Sequence, residues 1–597
     1  MIKKLSIFVV LAALTLAITS LWNDSFTVDE IPHVGAGYSY ITKGDFRLNP
    51  EHPPLAKDVA GFSLSLLSIS QSAFSTQYWT GDVNGQWNFG RTLIYDRTNN
   101  VDVITRTAKT TMLIFFVLSA LIIFRWTNEL YGSGKSGLTA LFLFAFSPTV
   151  LAHSRFVTTD MPALFGILLG TYFFIKFIRN PTRKSFWFAA LAFGVAQLTK
   201  FSAVLLAPLF IFIIVAWSMA NSFSLKSFTV LFIRSLILMA LGIILVVWPV
   251  YALHTINYPP ERQRNDAASN LATYGNRLFA DPVVWASDKP MIRPLAQYAM
   301  GILMVNQRSA GGNTTFFLGE VRNYAWKYYF PVVYAIKEPL PFWLLTIAVL
   351  LYLAAKMKIP NSKFQIPNIR RWIKTYFVEF SMLLWIVMYW FLSIKANLNI
   401  GVRHLLPTYS FVYILLAGQI VKIIQNAKLK NSSRLGGIPK FYILIFTFLI
   451  LLGWYITENI RVYPYYLTYF NQLAGGSSGG YRYVVDSNLD WGQDLKRLAM
   501  WVEKNISSAS EDKIYLDYFG WADQNYYLKD KFVWLSAGKY KSTREFLADN
   551  LDGGYIAVSA SFYMGSRENP ETSYAWLDSY KPIATIGNSI FVWHIVP

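Results

Sequence analysis

The sequence predicts a polytopic α-helical membrane protein that carries a small α/β domain at its C-terminal end. Three observations predict it. Of 597 residues, 54% are hydrophobic, 17% aromatic and 15% charged, against about 25% charged in soluble chains. The apolar residues recur in runs that approach the roughly 20 needed for a helix to cross the hydrocarbon core. The Lys and Arg residues fall in short segments between those runs rather than along one basic face, so the net charge of +20 reads as membrane topology and not as nucleic-acid binding. No cysteine occurs, which excludes disulfides, thiolate metal sites and a thiol nucleophile.

Eleven spans are expected, near 5–22, 107–125, 137–152, 161–178, 186–199, 201–219, 229–251, 339–356, 377–394, 405–424 and 440–458. The first resembles a signal peptide, with Lys3-Lys4 before an apolar run, but no small-x-small cleavage site follows, and it is read as a retained anchor. The fifth and sixth are short and meet near Lys200; fused into one helix they would reverse every later segment. With the N-terminus cytoplasmic, Arg125, Lys135, Arg179, Arg183, Lys184, Lys226, Lys356, Lys358, Lys363, Arg370, Arg371, Lys374, Lys422, Lys428, Lys430, Arg434 and Lys440 all fall on the cytoplasmic side. That bias leaves loop 23–106, the turn at 153–160, loop 252–338 and the tail 459–597 outside together. The expected organisation is therefore a transmembrane module at 1–458 and an extracytoplasmic α/β domain at 459–597.

Within the outer loops, SLSLLSISQSAF at 63–74 reads as interfacial helix, and the aromatic density from Phe316 to Phe342 as chain lying on the membrane surface before it re-enters lipid. In the tail, Asp490 can cap a helix at about 491–505, because Leu495, Leu498 and Val502 share a face. KIYLDYF, GGYIAVSASFY and SIFVWHIV read as strands. No internal repeat of fixed period is present, unlike many transporters.

The chemistry concentrates at the outer ends of the spans. Asp29-Glu30 opens the first outer loop, where partial desolvation and a neighbouring carboxylate would separate two acid functions and leave one ionised as a general base; a hydrated loop end or helix cap is the plain alternative. Glu51-His52 stands beside Pro53-Pro54, whose fixed backbone would hold both side chains, and Lys57 follows within reach of a phosphate or as a snorkelling lysine. His33, Asp45 and Arg47 read as loop structure. Arg155 and Asp160 sit where the chain meets lipid, a costly place for a charge that lacks a partner, and could simply pair with each other. Glu51, His52 and His153 are candidate ligands for a divalent metal, since imidazole and carboxylate suit Zn²⁺ or Mn²⁺, although no HxxxH-like spacing supports the site. Lys200, Lys337, Arg403 and His404 lie at the same expected depth. Cations at one depth suit a phosphate headgroup whose hydrocarbon tail stays in the bilayer; general anchoring to anionic lipids is the alternative. Asp486, Asp490 and Asp494 are spaced by four and read as helix capping and a solvated face, with acceptor binding as a second reading.

Taken together, Asp29-Glu30, HPPLAK at 52–57, SRFVTTD at 154–160 and RHLLP at 403–407 resemble, in this order, the polyprenyl-phosphate-dependent glycosyltransferases of the GT-C fold. The similarity is to the protein O-mannosyltransferase branch and its bacterial members, and it covers roughly 20–460, with YYFPVVYAIKEPLP and DSNLDWGQDL similar to the bacterial members in particular. The resemblance implies inverting transfer of a mannose-like hexose or related sugar from a polyprenyl-phosphate donor, on the extracytoplasmic face of a prokaryotic plasma membrane, to a hydroxyl of a protein, glycan or lipid. It implies Asp29 as the base beside Glu30, His52 and Lys57 near donor or acceptor, Arg155 and Asp160 beside the site, and Lys200 and Arg403 at the donor phosphate. No cofactor is required, and a divalent metal is the optional one. Loop 252–338 is too short for the β-trefoil domain usual in the protein-modifying members, which leaves the acceptor open. A lipid-linked-sugar transporter or flippase, and a non-catalytic membrane scaffold, are the alternative readings.

Overall fold

The computed structural model describes residues 1–221, 223–357, 366–431, 440–506 and 513–597. Lys358, Lys363 and Arg434 of the expected cytoplasmic set lie outside the described residues.

Among the described residues, eight helices are long and apolar enough to cross a membrane: Ile2–Ser20, Val101–Tyr131, Asp160–Arg179, Phe201–Ala220, Leu225–His254, Phe377–Lys395, Val402–Lys428 and Phe441–Val462. Two bent pairs raise the number to ten if each counts as one span: Gly134–Ala145 with Pro148–Ser154, at 66°, and Tyr329–Lys337 with Leu340–Lys356, at 110°. Both breaks have a local cause. Ser147 accepts from the Val150 amide at 3.3 Å and Pro148 opens the next helix, a cap followed by the residue best suited to a first helical position. Pro339 ends the other first arm in the same way. Each of the eleven expected segments is helical. The segment read as a span at 186–199 is the shorter helix Arg183–Gln197, 15 residues long, which runs back beside Asp160–Arg179 so that Lys200 just beyond its end meets Asp160 at 2.5 Å. It packs against Asp160–Arg179 and ends at Leu198–Lys200, so it does not fuse with the span that follows.

The first outer loop is largely helical, with Glu30–Lys43, Leu55–Ser65 and Gln86–Ile94 as its main elements. The first two cross at glycine: a Cβ on Gly37 would stand 2.1 Å from the Lys57 carbonyl oxygen, and one on Gly61 2.1 Å from that of Gly37. The segment 63–74 is only partly helical, because Leu55–Ser65 stops there and a short 3₁₀ turn, Ser72–Ser75, follows. Loop 252–338 folds into the helices Pro260–Asn270, Arg277–Ala286 and Arg293–Gly311 and a hairpin of β1 (Thr315–Phe317) and β2 (Glu320–Arg322).

After the last span the chain runs through short 3₁₀ turns to the helix Leu495–Asn505, then to five strands: β3 (Ile514–Asp517), β4 (Phe532–Trp534), β5 (Gly554–Ser559), β6 (Ala584–Ile586) and β7 (Ile590–Ile595). Their order is β4-β3-β5-β7-β6, with β3 parallel to β4 and β5, and β7 antiparallel to β5 and β6. Leu495, Leu498 and Val502 are buried on one helical face as the periodicity requires, but the helix begins at Leu495 and its N-cap position is Asp494, not Asp490. The run GGYIAVSASFY is strand only to Ser559 and turns helical from Ala560.

Candidate active site

Four span ends meet on one face of the helical bundle around a cavity of about 340 Å³. Asp29 occupies the N-cap position of Glu30–Lys43 yet makes no capping bond. Its carboxylate instead accepts from Arg403 Nη1 at 2.8 Å and keeps 24% of its side-chain surface open, facing the cavity. Arg403 stands in a 3₁₀ turn just after Gly401, whose φ of +141° suits glycine and whose Cβ would meet Ser487 Oγ at 2.3 Å. The same guanidinium nitrogen lies 3.4 Å from Asp160, and Asp160 accepts from Lys200 Nζ at 2.5 Å. Lys200 is the extended residue between two helical turns.

Asp29 and Asp160 thus pair with Lys200 and Arg403, while Arg308, an exposed residue on the cavity wall, has no carboxylate within 4 Å among the described residues. Arg308 is therefore the cavity-lining cation free of a direct ion pair among the described residues, with Asp486 the further carboxylate whose charge reaches it. Apolar side chains of the span ends, Val204, Tyr389 and Leu398 among them, form much of the remaining wall.

His33 also lines the cavity, one helical turn after Asp29, which corrects its reading as loop structure. Its Nδ1 donates to the Val157 carbonyl at 2.8 Å, and its ring meets the edge of His52 at 4.9 Å between centroids. Burial, helped by the Lys57 charge, lowers the His33 pKa to about 4. Burial, with His33 and Lys57 adding to it, drives His52 well below the usual imidazole range. Both rings are neutral at pH 7.

Asp29, His52, Lys200, Arg403 and His404 line this cavity, with Asp160 directly behind. Other candidates lie elsewhere. Arg155, 1% exposed, turns away from Asp160 to Asp24 at 2.9 Å, because Lys200 and Arg403 already serve Asp160. Glu30 is buried, 2.8 Å from Lys109 Nζ, and accepts from the Thr27 and Val157 amides. Lys57 donates to the Tyr40 hydroxyl and the Asn49 and His52 carbonyls, and burial lowers its pKa to about 7. It braces the turn that carries His52. Lys337 donates to the Leu467 and Asn488 carbonyls at 2.7 Å.

The proposed metal ligands do not come together: Glu51 accepts from Gln86 at 2.6 Å and from Asn84, and the buried His153 ring packs near Phe156 and Trp491. Among the described residues, no group of three or more His, Asp or Glu side chains is placed to hold a metal ion. The expected solvated face at Asp486, Asp490 and Asp494 is also corrected, since Asp490 and Asp494 are fully buried. Sequence reasoning missed Arg308, which lies in a helix of a long loop with no motif around it. His33 carried a usable signal, its i, i+4 spacing from Asp29.

Residues 6–258 match the family model of dolichyl-phosphate-mannose-protein mannosyltransferases, and the motifs at Asp29-Glu30, 52–57 and 154–160 all fall inside that segment. Compared with the curated proteins, the chain matches none. Among solved structures it is similar to ArnT of Cupriavidus metallidurans bound to undecaprenyl phosphate, at 11% identity over 99% of this chain and 98% of that one, with a TM-score of 0.45. The oligosaccharyltransferase AglB of Archaeoglobus fulgidus, in complex with an inhibitory peptide and a dolichol-phosphate, matches at 12% identity, 94% and 71% coverage and a TM-score of 0.45. The S. cerevisiae protein O-mannosyltransferase complex bound to the sugar donor matches at 21% identity over 43% of this chain and 34% of that one, with a TM-score of 0.31.

Proposed function

We infer that this chain, similar over residues 6–258 to the mannosyltransferase family, moves a mannose-like hexose from a polyprenyl-phosphate donor to an acceptor hydroxyl with inversion. The observation that carries the reading is a single open carboxylate, Asp29, set against Arg403 in a cavity that holds the unpaired Arg308 and is walled by apolar span ends.

The chemistry follows from that arrangement. Asp29 takes the acceptor proton, the acceptor oxygen forms its bond to the anomeric carbon, and the bond from that carbon to the phosphate oxygen breaks on the opposite face. The phosphate leaves with the electron pair. Arg308 and Lys200 offset its charge as it develops. Neutral His33 and His52 are suited to hydrogen-bond sugar hydroxyls without adding charge to the donor side. The hydrocarbon of the donor stays against the apolar wall. The cation bias read from the sequence puts the N-terminus in the cytoplasm and the cavity outside, where protein, glycan and lipid hydroxyls are available as acceptors.

Purified full-length protein with radiolabelled polyprenyl-phosphate mannose tests this. Asp29→Asn is expected to lower kcat by about 10²–10⁴-fold, and Arg308→Ala to raise the donor KM by about 10-fold or more. Equal turnover by Asp29→Asn removes the proposed base. No transfer by wild type from mannosyl, glucosyl or aminoarabinosyl donors removes the reading.

A further inference from the structure

Asp29 and Arg403 are 374 positions apart in sequence, and one short stretch of the C-terminal tail touches the chain on both sides of their ion pair. Toward Arg403, Ser487 Oγ accepts from Nε at 3.0 Å, the Trp491 ring lies 4.2 Å from the guanidinium, and Asn488 Oδ1 accepts from the Val402 amide at 2.9 Å. Toward Asp29, the Val28 amide donates to the Trp491 carbonyl at 2.9 Å. The Ser25 amide and hydroxyl donate to the Gln493 and Gly492 carbonyls, each at 2.9 Å. Between these contacts the tail turns at Gly492, whose φ is +87°. Ser487, Asn488 and Trp491 are all buried.

We propose that residues 487–493 form a brace behind the Asp29–Arg403 pair, outside the cavity itself, with Trp491 as its positioning residue. The indole holds Arg403 by its ring face while its own carbonyl holds the backbone one residue before Asp29. The tail is then part of the transfer machinery rather than an appended module. The proposal rests on Asp29 acting as the base. A flat aromatic face against a desolvated guanidinium is a favourable contact. A displacement of about 1 Å at a reacting group can cost about 10²-fold in rate, so the effect belongs in kcat.

The test uses the full chain in nanodiscs with polyprenyl-phosphate mannose. Trp491→Ala is expected to lower kcat about 10–100-fold with donor KM within about 3-fold of wild type, while Trp491→Phe, which retains a ring face, recovers most of the rate. Should Trp491→Ala fail to accumulate, Ser487→Ala removes one hydroxyl and is expected to lower kcat with the same unchanged KM. Wild-type kcat in Trp491→Ala or in Ser487→Ala, beside an inactive Asp29→Asn, overturns this inference and leaves the function standing. So does a loss that Trp491→Phe fails to recover and that a lowered melting midpoint accompanies, since that marks a structural role alone. Full activity in Asp29→Asn, or none in wild type, brings down the function and this inference with it.

Discussion

His33 shows how a residue at the cavity couples charge to stability. Its Nδ1–H is committed to the Val157 carbonyl and its ring is buried, so the folded protein binds a proton there only at about pH 4, against 6.5 for the free side chain. The unfolded chain takes up that proton first. The stabilisation from the neutral ring is therefore complete above pH 6.5 and is lost as pH falls toward 4. Across that window it amounts to at most about 3 kcal/mol. His33→Gln, which cannot titrate, is expected to flatten the fall of the melting midpoint between those pH values; an unchanged slope would sink the assignment. The sequence made Asp29, Lys200 and Arg403 legible because a charge at the edge of lipid is expensive and so invites explanation. It did not show which partner each would take. Arg155 and Asp160 look like a pair on paper, and only packing shows that Asp24 claims the one and Lys200 the other.

At the scale of elements, the crossing of Glu30–Lys43 and Leu55–Ser65 places His33 and His52 ring against ring. Gly37 lets the two backbones approach, and a methyl there would press on the Lys57 carbonyl. Lys57 in turn holds the Asn49 and His52 carbonyls through its ammonium, so separating the helices would strain the His52 turn as well. Gly37→Ala is expected to destabilise the protein by about 1–3 kcal/mol, as overpacking commonly does, read as a lower melting midpoint in a fixed detergent. A midpoint equal to wild type would show that the crossing relaxes freely. Apolar runs announced most of the spans, whereas the outer helices and the strands β4 and β6 did not announce themselves. Strands of three residues such as FVW and ATI carry too little alternation to stand out.

Across the whole molecule, the outer loop, the bundle and the tail are joined by a buried network in which three cations meet three anions. Asp24 receives Arg155 at 2.9 Å, Arg497 at 2.6 Å and Lys109 at 3.7 Å; Lys109 also serves Glu30, and Arg497 also serves Asp494. Burial alone would raise the Asp24 pKa, but Arg155, Arg497 and Lys109 together hold it below the usual range. Such a network is weak evidence for net stabilisation, because removing the charges from water cancels much of their attraction. Its effect is on specificity: each ion is tolerable only where its partners are, so the tail has one low-energy seat on the loop that carries Asp29. Removing one partner should therefore be costly in a way that surface pairs are not. Arg497→Met, close in length but uncharged, leaves Asp24 and Asp494 each short of a cation and is expected to cost about 3–5 kcal/mol. Arg125→Met breaks the Arg125–Glu129 pair, whose arginine side chain is 69% exposed, and is expected to change stability by less than about 1 kcal/mol. Melting midpoints of both variants in the same detergent decide the matter, and equal shifts would mean that the buried charges do not seat the tail.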